Sequence, residues 1–295
     1  MEISIGIPSY NEGASLGNLV EKIYSQKLPS NMKLIEVIVS DASSDGTEKK
    51  LGEMAKKYGS LRVLHHEERR GVSAAWNEIL GECRGDVIIL VDADTIPSDT
   101  LLYSLSSKIE PSKIGLVAAN SSPLEPGTFF GRASYFVGVW LQEIRRSFNA
   151  NQFTVIGRGL AVRREVAKQI VLPTDLLAPD LYVSCRVKEL GYEILYAEDA
   201  IIHFKPTETV RDFASQVVRA SLGHKQLNGY SQMSLQKVGM LNQVAKALHV
   251  AKEYPIHAIA TCIAYALLPF ILPRVMKGAS THLWEVPKTS KLREG

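Results

Sequence analysis

Cysteine is scarce in this chain of 295 residues, and no long run of one charge is present. The three cysteines, Cys83, Cys185 and Cys262, are far apart and lack metal-ligand spacing, which argues against a disulfide framework and a zinc site. Lys and Arg occur as short pairs and the net charge is only +3, so nothing indicates nucleic-acid binding. The N-terminus lacks the basic start and apolar core of a signal peptide, so we expect a cytoplasmic catalytic domain.

The first hundred residues alternate between two kinds of apolar pattern. Short β-branched runs at 3–7, 34–39, 61–65 and 87–91 predict strands, and the segments 16–26, 47–57 and 72–83 between them predict helices. This alternation predicts an α/β fold, with a Rossmann-like, mostly parallel sheet flanked by helices. In such sheets ligands bind beyond the carboxyl ends of the strands.

The next hundred residues extend the same pattern. A helix and a strand are expected within 101–117, a loop at 123–131, an aromatic helix at 129–148 and a strand at 156–163. Helices should follow at 164–169 and at 180–189, the second closed by Gly191. We therefore assign residues 1–225 to a catalytic domain and residues 226–295 to a helical C-terminal extension.

The extension contains an apolar segment, residues 256–272, whose ionisable side chains are one His and Tyr265. It is near the lower length limit for a membrane-spanning helix, and Pro269 and Pro273 would kink it. The segment is either a membrane-embedded or interfacial helix, or a buried core or partner-binding helix. The basic tail residues Lys288, Lys291 and Arg293 suit a cytoplasmic lipid surface and also an ordinary soluble terminus.

Polar or acidic residues follow three of the predicted strands, at 8–13, 40–47 and 92–95. The third set, Asp92-Ala93-Asp94, puts two carboxylates on one side of an extended chain, where both can reach one Mg²⁺ or Mn²⁺ ion. Such an ion would neutralise charge on a departing diphosphate. Asp-x-Asp alone is a weak signal, because a solvated turn has the same pattern.

Five motifs, in order, resemble the family 2 glycosyltransferases of the GT-A fold, over about residues 3–219. They are Ile7-Pro8-Ser9-Tyr10-Asn11-Glu12, the segment from Val39 to Thr47, Gly71-Val72-Ser73-Ala74-Ala75-Trp76-Asn77, Val91-Asp92-Ala93-Asp94-Thr95, and Gly157-Arg158-Gly159-Leu160-Ala161-Val162-Arg163-Arg164. The resemblance implies a nucleoside-diphosphate-sugar donor and a Mg²⁺ or Mn²⁺ cofactor.

The resemblance also implies roles for individual residues at the donor end. Pro8, Tyr10 and Glu12 would line the nucleotide pocket, and Asp41 would hydrogen-bond the base. Asp92 would approach the ribose, and Asp94 would ligate the metal. Simple packing remains the alternative for Tyr10, and a helix-start charge remains the alternative for Glu12.

Inverting transfer needs a base that removes the proton of the acceptor hydroxyl, and Asp180 is the candidate. In the family this position belongs to an acidic pair that opens a helix, but Pro179 here replaces the first acid. The alternative is that Asp180 is an N-terminal helix cap.

Three weaker candidates complete the site prediction. Gln216 and Arg219 resemble the Gln-x-x-Arg-Trp motif of processive synthases, with Ala220 in the Trp position, and would face the diphosphate or acceptor; a solvated helix face is the alternative. His203 would be a third metal ligand or phosphate contact, although a lone His is more often structural. The segment 282–288 resembles the Trp-containing tail of membrane-associated relatives.

The sequence thus predicts an enzyme that moves a sugar to a hydroxyl of a saccharide or lipid-linked saccharide. Transfer to a polyprenyl phosphate is the alternative reaction. A catalytically inactive scaffold at a membrane is the alternative of another class, and retention of Asp94 and Asp180 disfavours it.

Overall fold

A computed structural model describes residues 1–148, 151, 153–227, 235–277 and 289. The tail at 282–288, and with it Lys288, Lys291 and Arg293, lies outside the described residues. All statements about the architecture below concern the described part of the chain.

The amino-terminal half alternates strands and helices as the sequence predicts. The elements are β1 (Glu2–Ser9), α1 (Gly13–Tyr24), β2 (Lys33–Asp41), α2 (Thr47–Lys57), β3 (Leu61–His65), α3 (Val72–Glu82) and β4 (Val87–Val91). The bounds of α2, β3 and β4 agree with the prediction residue for residue. Helix α1 begins three residues earlier than predicted, directly after the loop that follows β1.

The second half contains two strands whose extent the sequence did not reveal. The elements are β5 (Thr95–Pro97), α4 (Leu101–Ile109), β6 (Ile114–Pro123), α5 (Gly131–Ser147), β7 (Gly159–Arg163), α6 (Arg164–Ala167), α7 (Pro179–Glu189), β8 (Glu193–Phe204) and α8 (Val210–Leu227). Strand β8 is twelve residues long, and β5 pairs with its end in the antiparallel sense. Two further helices, α9 (Met240–Glu253) and α10 (Pro255–Lys277), follow.

The eight strands form one mixed sheet in the order β3-β2-β1-β4-β7-β6-β8-β5. The pairs β1–β2, β1–β4, β2–β3 and β6–β8 are parallel, whereas β7 runs antiparallel to both β4 and β6. Since β7 is antiparallel to both of its neighbours, β6 and β8 run in the same direction as β1, β2 and β4. The expected mostly parallel sheet is therefore confirmed, with β7 and the edge strand β5 as its antiparallel members. The carboxyl ends of β1, β2 and β4 lie at one edge.

Helices cover both faces of the sheet and bury two apolar layers. One layer packs α1 and α4 against the sheet, for example through Leu16 and Leu105, and the other packs α3 and α7, for example through Trp76. A Cβ atom at Gly6 would lie 2.2 Å from Ile79 Cγ2, so this glycine of β1 permits the close approach of α3.

The helices after the sheet pack on one side of the domain. Ala264 and Leu268 of α10 are buried against Ala133 of α5 and Phe213 of α8. Helix α9 contacts α5, where Trp140 Nε1 donates a hydrogen bond to the carbonyl oxygen of Gln243 at 3.0 Å. The expected helical extension is therefore present and is attached to the catalytic core through α5 and α8.

Candidate active site

The loops after β1, β2, β3 and β4 surround one cleft at the carboxyl edge of the parallel strands. The register places Ser9 beside Asp41, so the first two loops leave the sheet side by side. Most predicted site residues meet here, namely Pro8, Tyr10, Glu12, Asp41, Asp92, Asp94, Gln216 and Arg219. The topology explains this meeting, because neighbouring parallel strands end at the same edge.

The loops after β1 and β2 are joined by Asn11. This residue has a positive φ of 55°, a conformation that Asn tolerates better than most residues. Its backbone N–H donates to Ser43 Oγ at 2.7 Å, and its Oδ1 accepts from the Ser44 N–H at 2.9 Å. Both contacts hold the turn that follows β1, so Tyr10 and Glu12 are presented to the cleft by a braced loop.

Tyr10 lies under an arginine that the sequence did not single out for a role. The guanidinium of Arg69 is 4.3 Å from the centroid of the Tyr10 ring, within the range of a cation–π contact. Burial lowers the pKa of Arg69, with Tyr10 opposing this shift and Arg219 adding to it. Arg69 and Arg219 are thus close enough to interact, and both line the cleft.

Asp41 lies at the end of β2 and is fully buried. Its Oδ1 accepts from Ser43 Oγ at 2.5 Å, and its Oδ2 accepts from the Ser43 N–H at 3.2 Å. Oδ2 is also 3.0 Å from His65 Nδ1. The carboxylate predicted to hydrogen-bond the base therefore lines the cleft while it is held by Ser43 and His65.

The acidic pair follows β4 directly. Burial raises the pKa of the Asp92 carboxyl, and repulsion from Asp94 raises it further, while Arg158 and Arg219 oppose the shift. Asp180 also raises it. A site that makes the Asp92 carboxylate costly to ionise beside Asp94 favours a bound cation, because a cation would offset the repulsion between the two.

Arg158 is the main positive group facing these acids. It is held in the cleft by a cation–π contact with Phe204, whose ring centroid is 3.6 Å from the guanidinium carbon. Burial lowers the pKa of Arg158, but Asp94, Asp92 and Asp180 all raise it. The sequence motif Gly157–Arg164 contained this residue, and only the folded chain reveals that its side chain faces the acids.

Asp180 lies in the first turn of α7 but does not cap that helix. The N-cap residue is Ala178, which makes no side-chain capping bond. Instead, Asp180 Oδ2 accepts from the Gly157 N–H at 2.9 Å, and Oδ1 accepts from the Leu181 N–H at 2.9 Å. The carboxylate is therefore directed towards the segment that immediately precedes β7.

Residues 157 and 158 link this carboxylate to the acidic pair. The backbone N–H of Asp92 donates to the carbonyl oxygen of Arg158 at 3.3 Å, next to the Gly157 N–H that binds Asp180. The residue that follows β4 and the first turn of α7 are thus hydrogen-bonded to adjacent residues of one segment. This brings Asp180 within electrostatic range of Asp92.

Helix α8 supplies the wall of the cleft opposite the strand ends. Gln216 and Arg219, three residues apart, both face the cleft, as one helical turn requires. Arg219 Nε donates to the carbonyl oxygen of Leu177 at 3.2 Å, which orients the guanidinium. Both residues therefore border the cleft.

His203 does not join this cleft. It pairs with Ile96 on β5, and its neighbour Phe204 lines the cleft, so the alternation of a strand directs His203 to the opposite face. Burial lowers the pKa of His203, and Lys22 of α1 lowers it further. His203 is not among the residues that line the cleft, and we do not include it in the mechanism proposed below.

A polar cluster beside the donor end was missed at the sequence level. Glu78 of α3 accepts from Ser40 Oγ at 2.6 Å and from an Arg70 guanidinium nitrogen at 3.0 Å, and its Oε1 is 2.9 Å from His66 Nε2. These three partners line the cleft. The only sequence signal was the position of His66 and Arg70 after β3, a strand that ends at the same edge of the sheet as the other parallel strands.

The chemistry of the donor set fits a divalent cation shared with a substrate. No group of three or more His, Cys, Asp or Glu side chains suited to a metal occurs in the described residues. Asp94 and Asp92 offer hard oxygen ligands, and Mg²⁺-type sites are commonly built from one or two carboxylates completed by substrate phosphates and water. Arg69, Arg158 and Arg219 line the same cleft and would face the phosphates.

The mixed eight-stranded sheet with helices on both faces is a GT-A fold. The mannosyltransferase PcManGT from Pyrobaculum calidifontis, solved with GDP-Man and Mn²⁺, has a similar structure, with a TM-score of 0.63 over 94% of this chain and 76% of that chain at 19% identity. TarS from S. aureus, solved with UDP-GlcNAc, gives a TM-score of 0.54 over 87% of this chain and 72% of its own, at 16% identity.

The sequence makes the assignment specific. Residues 4–171, more than half of the chain, match the model of the family described as Glycosyl transferase family 2, and the chain belongs to that family. Glycosyltransferase AglE of Haloferax volcanii is 26% identical over 240 residues, which are 80% of this chain and 77% of the relative. The poly-beta-1,6-N-acetyl-D-glucosamine synthase of Staphylococcus epidermidis is 26% identical over 76% of this chain, which spans 55% of that longer relative.

Proposed function

We propose that this enzyme catalyses the metal-dependent, inverting transfer of a sugar from a nucleoside diphosphate to a hydroxyl of a saccharide or lipid-linked saccharide. One observation carries the proposal: Gly157 and Arg158 connect Asp180 to the end of the strand that carries the acidic pair. A carboxylate suited to proton abstraction is thereby held beside carboxylates suited to binding the donor.

The donor end is built for an anionic ligand with a planar base. The braced loop of Tyr10, the buried Asp41 and the loop after β3 would hold the nucleoside. Asp94, with Asp92 beside it, would hold a Mg²⁺ or Mn²⁺ ion, which would neutralise charge on the leaving diphosphate. Arg158 and Arg219 would bind the phosphate oxygens directly. Structures of similar fold bind GDP-Man and UDP-GlcNAc, which supports a nucleotide-sugar donor.

The acceptor end depends on Asp180. As the acceptor oxygen attacks the anomeric carbon, its proton would pass to the Asp180 carboxylate, and the bond from that carbon to the diphosphate would break. The two backbone N–H groups that bind Asp180 hold its carboxylate in place. Attack opposite the leaving group would invert the anomeric configuration.

We also infer that the enzyme works at the cytoplasmic face of a membrane. Helix α10 contains one stretch, Pro255–Pro273, that is long and apolar enough to cross a membrane by length and composition. Only 22% of this stretch is buried in the structure, so most of it is not part of the core. A helix of this kind supports membrane attachment and, with it, a lipid-linked acceptor.

The proposed reaction is tested by a transfer assay with purified enzyme and a panel of nucleoside-diphosphate sugars. Each donor is combined with neutral saccharide acceptors and with a polyprenyl phosphate, in the presence of Mn²⁺ or of EDTA. We expect product only on hydroxyl acceptors and only with the metal, with inverted anomeric configuration by NMR. Transfer to polyprenyl phosphate, or transfer unaffected by EDTA, would contradict the proposal.

A further inference from the structure

The exposed apolar side chains of this protein are concentrated in its last two described helices. Of the thirteen large hydrophobic side chains exposed in the described residues, ten lie in α9 and α10. Such a concentration is unusual for a monomeric soluble protein and marks a surface that is covered by something else.

On each helix most of these exposed side chains share one face. In α9 they include Leu241, Val244 and Leu248, and in α10 they include Ile259, Ile263 and Phe270. The spacings of three, four and seven residues place each set along one side of its helix. We call these six side chains, with their surroundings on the two helices, the C-terminal apolar surface.

The other face of α10 is already occupied along much of its length. Ala264 and Leu268 are buried against α5 and α8, and Ile271, Leu272 and Val275 pack at the edge of the same cluster. The ring of Tyr265 meets that of Phe213 on α8 at 5.4 Å. Helix α10 is therefore attached lengthwise to the catalytic domain, with only its outer face left for a partner.

This attachment is incompatible with a helix that crosses a bilayer. With 23 residues, α10 is about 35 Å long, enough to span the hydrocarbon. However, a spanning α10 would draw α8 in with it, and α8 carries Arg211, Asp212, Arg219 and Lys225. Charged side chains are strongly disfavoured in the hydrocarbon region. Burial of the outer face alone avoids this cost.

The charge distribution favours an anionic lipid surface as the partner of the C-terminal apolar surface. Residues 235–295 contain eight of the 34 Lys and Arg of the chain but only three of its 31 Asp and Glu. Residues 1–234 therefore carry 26 basic and 28 acidic side chains, so the positive charge of the protein resides in the segment that contains the apolar surface. Apolar and basic character together are typical of helices that lie at a membrane interface.

We propose that the enzyme lies on an anionic membrane through the exposed faces of α9 and α10, with α10 in the plane of the interface instead of across the bilayer. Because α8 packs against α10 and also presents Gln216 and Arg219, the cleft is one helix away from the lipid. This inference rests on the membrane attachment proposed above and adds its geometry.

Cys262 provides a reporter for this geometry in the unmodified sequence. It is exposed on α10 between Ile259 and Ile263, whereas Cys83 and Cys185 are buried. The full chain, labelled at Cys262 with an environment-sensitive fluorophore, is mixed with vesicles of phosphatidylcholine and phosphatidylglycerol that carry quenchers either near the headgroup or deep in the acyl chains. We expect binding to blue-shift the emission, with the shallow quencher more effective. Stronger quenching by the deep quencher would overturn the in-plane geometry, because Cys262 is near the middle of α10.

Paired variants test the surface without reference to catalysis. Ile259→Asp combined with Ile263→Asp should lower the vesicle-bound fraction at least tenfold in a sedimentation assay with unlabelled protein. Val171→Asp changes an even more exposed apolar side chain outside the surface and should leave binding unchanged. Circular dichroism of the double variant shows whether it is folded. If it is folded and binds as well as the parent, the surface assignment is wrong.

Two further outcomes separate this inference from the proposals on which it rests. If the parent chain does not bind anionic vesicles at all, membrane attachment fails together with this inference, while the transfer reaction is still judged by its own assay. If light scattering without vesicles reports a dimer that Ile259→Asp with Ile263→Asp dissociates, a second copy of the chain covers the surface and the lipid proposal is overturned.

Discussion

The backbone N–H of Gly157 donates a hydrogen bond to Oδ2 of Asp180 at 2.9 Å. Because the neighbouring carbonyl oxygen of Arg158 accepts from the N–H of Asp92, the proposed acceptor and donor ends share one short segment of backbone. Hydrogen bonds to this segment therefore help to set the distance between the proposed base and the proposed metal-binding pair.

Replacing Asp180 with Asn tests its role as the base. The amide preserves size and can still accept the Gly157 N–H bond, but it cannot take a proton, so we expect kcat to fall by about 10²- to 10⁴-fold. The donor KM should stay within about twofold, because the substitution does not change the groups proposed to bind the donor. Both constants come from steady-state assays.

A matched control for this variant is Ser184→Ala. The Ser184 hydroxyl donates to the backbone carbonyl oxygen of Asp180 at 2.8 Å and does not touch its carboxylate. Its removal should leave kcat within about twofold, as expected when no transition-state contact is lost. Near-normal turnover by Asp180→Asn would remove Asp180 from the mechanism.

Glu78 is expected to position the donor end of the cleft. Partial burial alone would raise the pKa of Glu78. The hydrogen bonds with Ser40, His66 and Arg70 outweigh it and hold that pKa below its usual range. Glu78→Gln weakens these contacts, and we expect the donor KM to rise about threefold to tenfold, equivalent to roughly 1 kcal/mol. The kcat should change less than about twofold, because Glu78 does not face the acids that act on the reacting centre.

The control for Glu78 is Glu82→Gln, one turn further along α3. Glu82 pairs with Arg62 at 2.7 Å, and neither residue lines the cleft. We expect its donor KM to match the parent. An unchanged donor KM in Glu78→Gln, or an equal rise of the donor KM in both variants, would show that Glu78 contributes only to the stability of the fold.

Glu36 should make the stability of the fold depend on pH. Its side chain is 1% exposed. Burial favours a raised pKa, but the hydrogen bond from Ser4 Oγ and the contacts with Arg84 outweigh it and lower the pKa of Glu36. A group whose pKa is lower when folded stabilises the protein above its unfolded value, near 4.3, and this contribution is lost as the pH falls towards the folded value.

Urea unfolding of the parent and Glu36→Gln measures this effect. At pH 7 we expect the variant to be less stable by about 1–3 kcal/mol, the typical cost of disrupting a buried charged hydrogen bond. The difference should shrink below pH 4, where the parent carboxyl becomes protonated. Glu53→Gln, at an exposed position on α2, should have no such difference. A deficit in Glu36→Gln that is constant with pH would refute the charge-based account.

The regular elements of the amino-terminal half were predictable because their apolar periodicity is strong and their ends carry turn residues. The extent of strand β8 was not predictable, since its register is irregular beside Ala119 and Asn120 and its exposed Glu198 and Asp199 interrupt the alternation. Strand β5 is too short for any periodicity. Its place in the sheet depends on pairing with β8.

The candidate site was predictable where the chain order determines it and not where distant segments meet. Asp92, Asp94 and Tyr10 follow strands, so their common location follows from the parallel topology. The side chains of Arg158 and Arg69 are directed into the cleft by contacts with the rings of Phe204 and Tyr10, respectively. These contacts join segments distant in the chain, so no local sequence pattern indicates them. The direction of the His203 side chain was not predictable, because a residue near a strand end can face either side of a sheet.

Metal-dependent donor binding at Asp94 is the centre of this account, and thermal unfolding with a panel of nucleoside diphosphates tests it most directly. For the parent enzyme with Mn²⁺, one diphosphate at about 100 times its Kd should stabilise the fold by about 2.7 kcal/mol, seen as a rise in Tm of several degrees. EDTA, or the variant Asp94→Asn with Mn²⁺ present, should abolish the rise. Stabilisation that persists in EDTA or in Asp94→Asn, or the lack of a response to every diphosphate with Mn²⁺, would contradict the account.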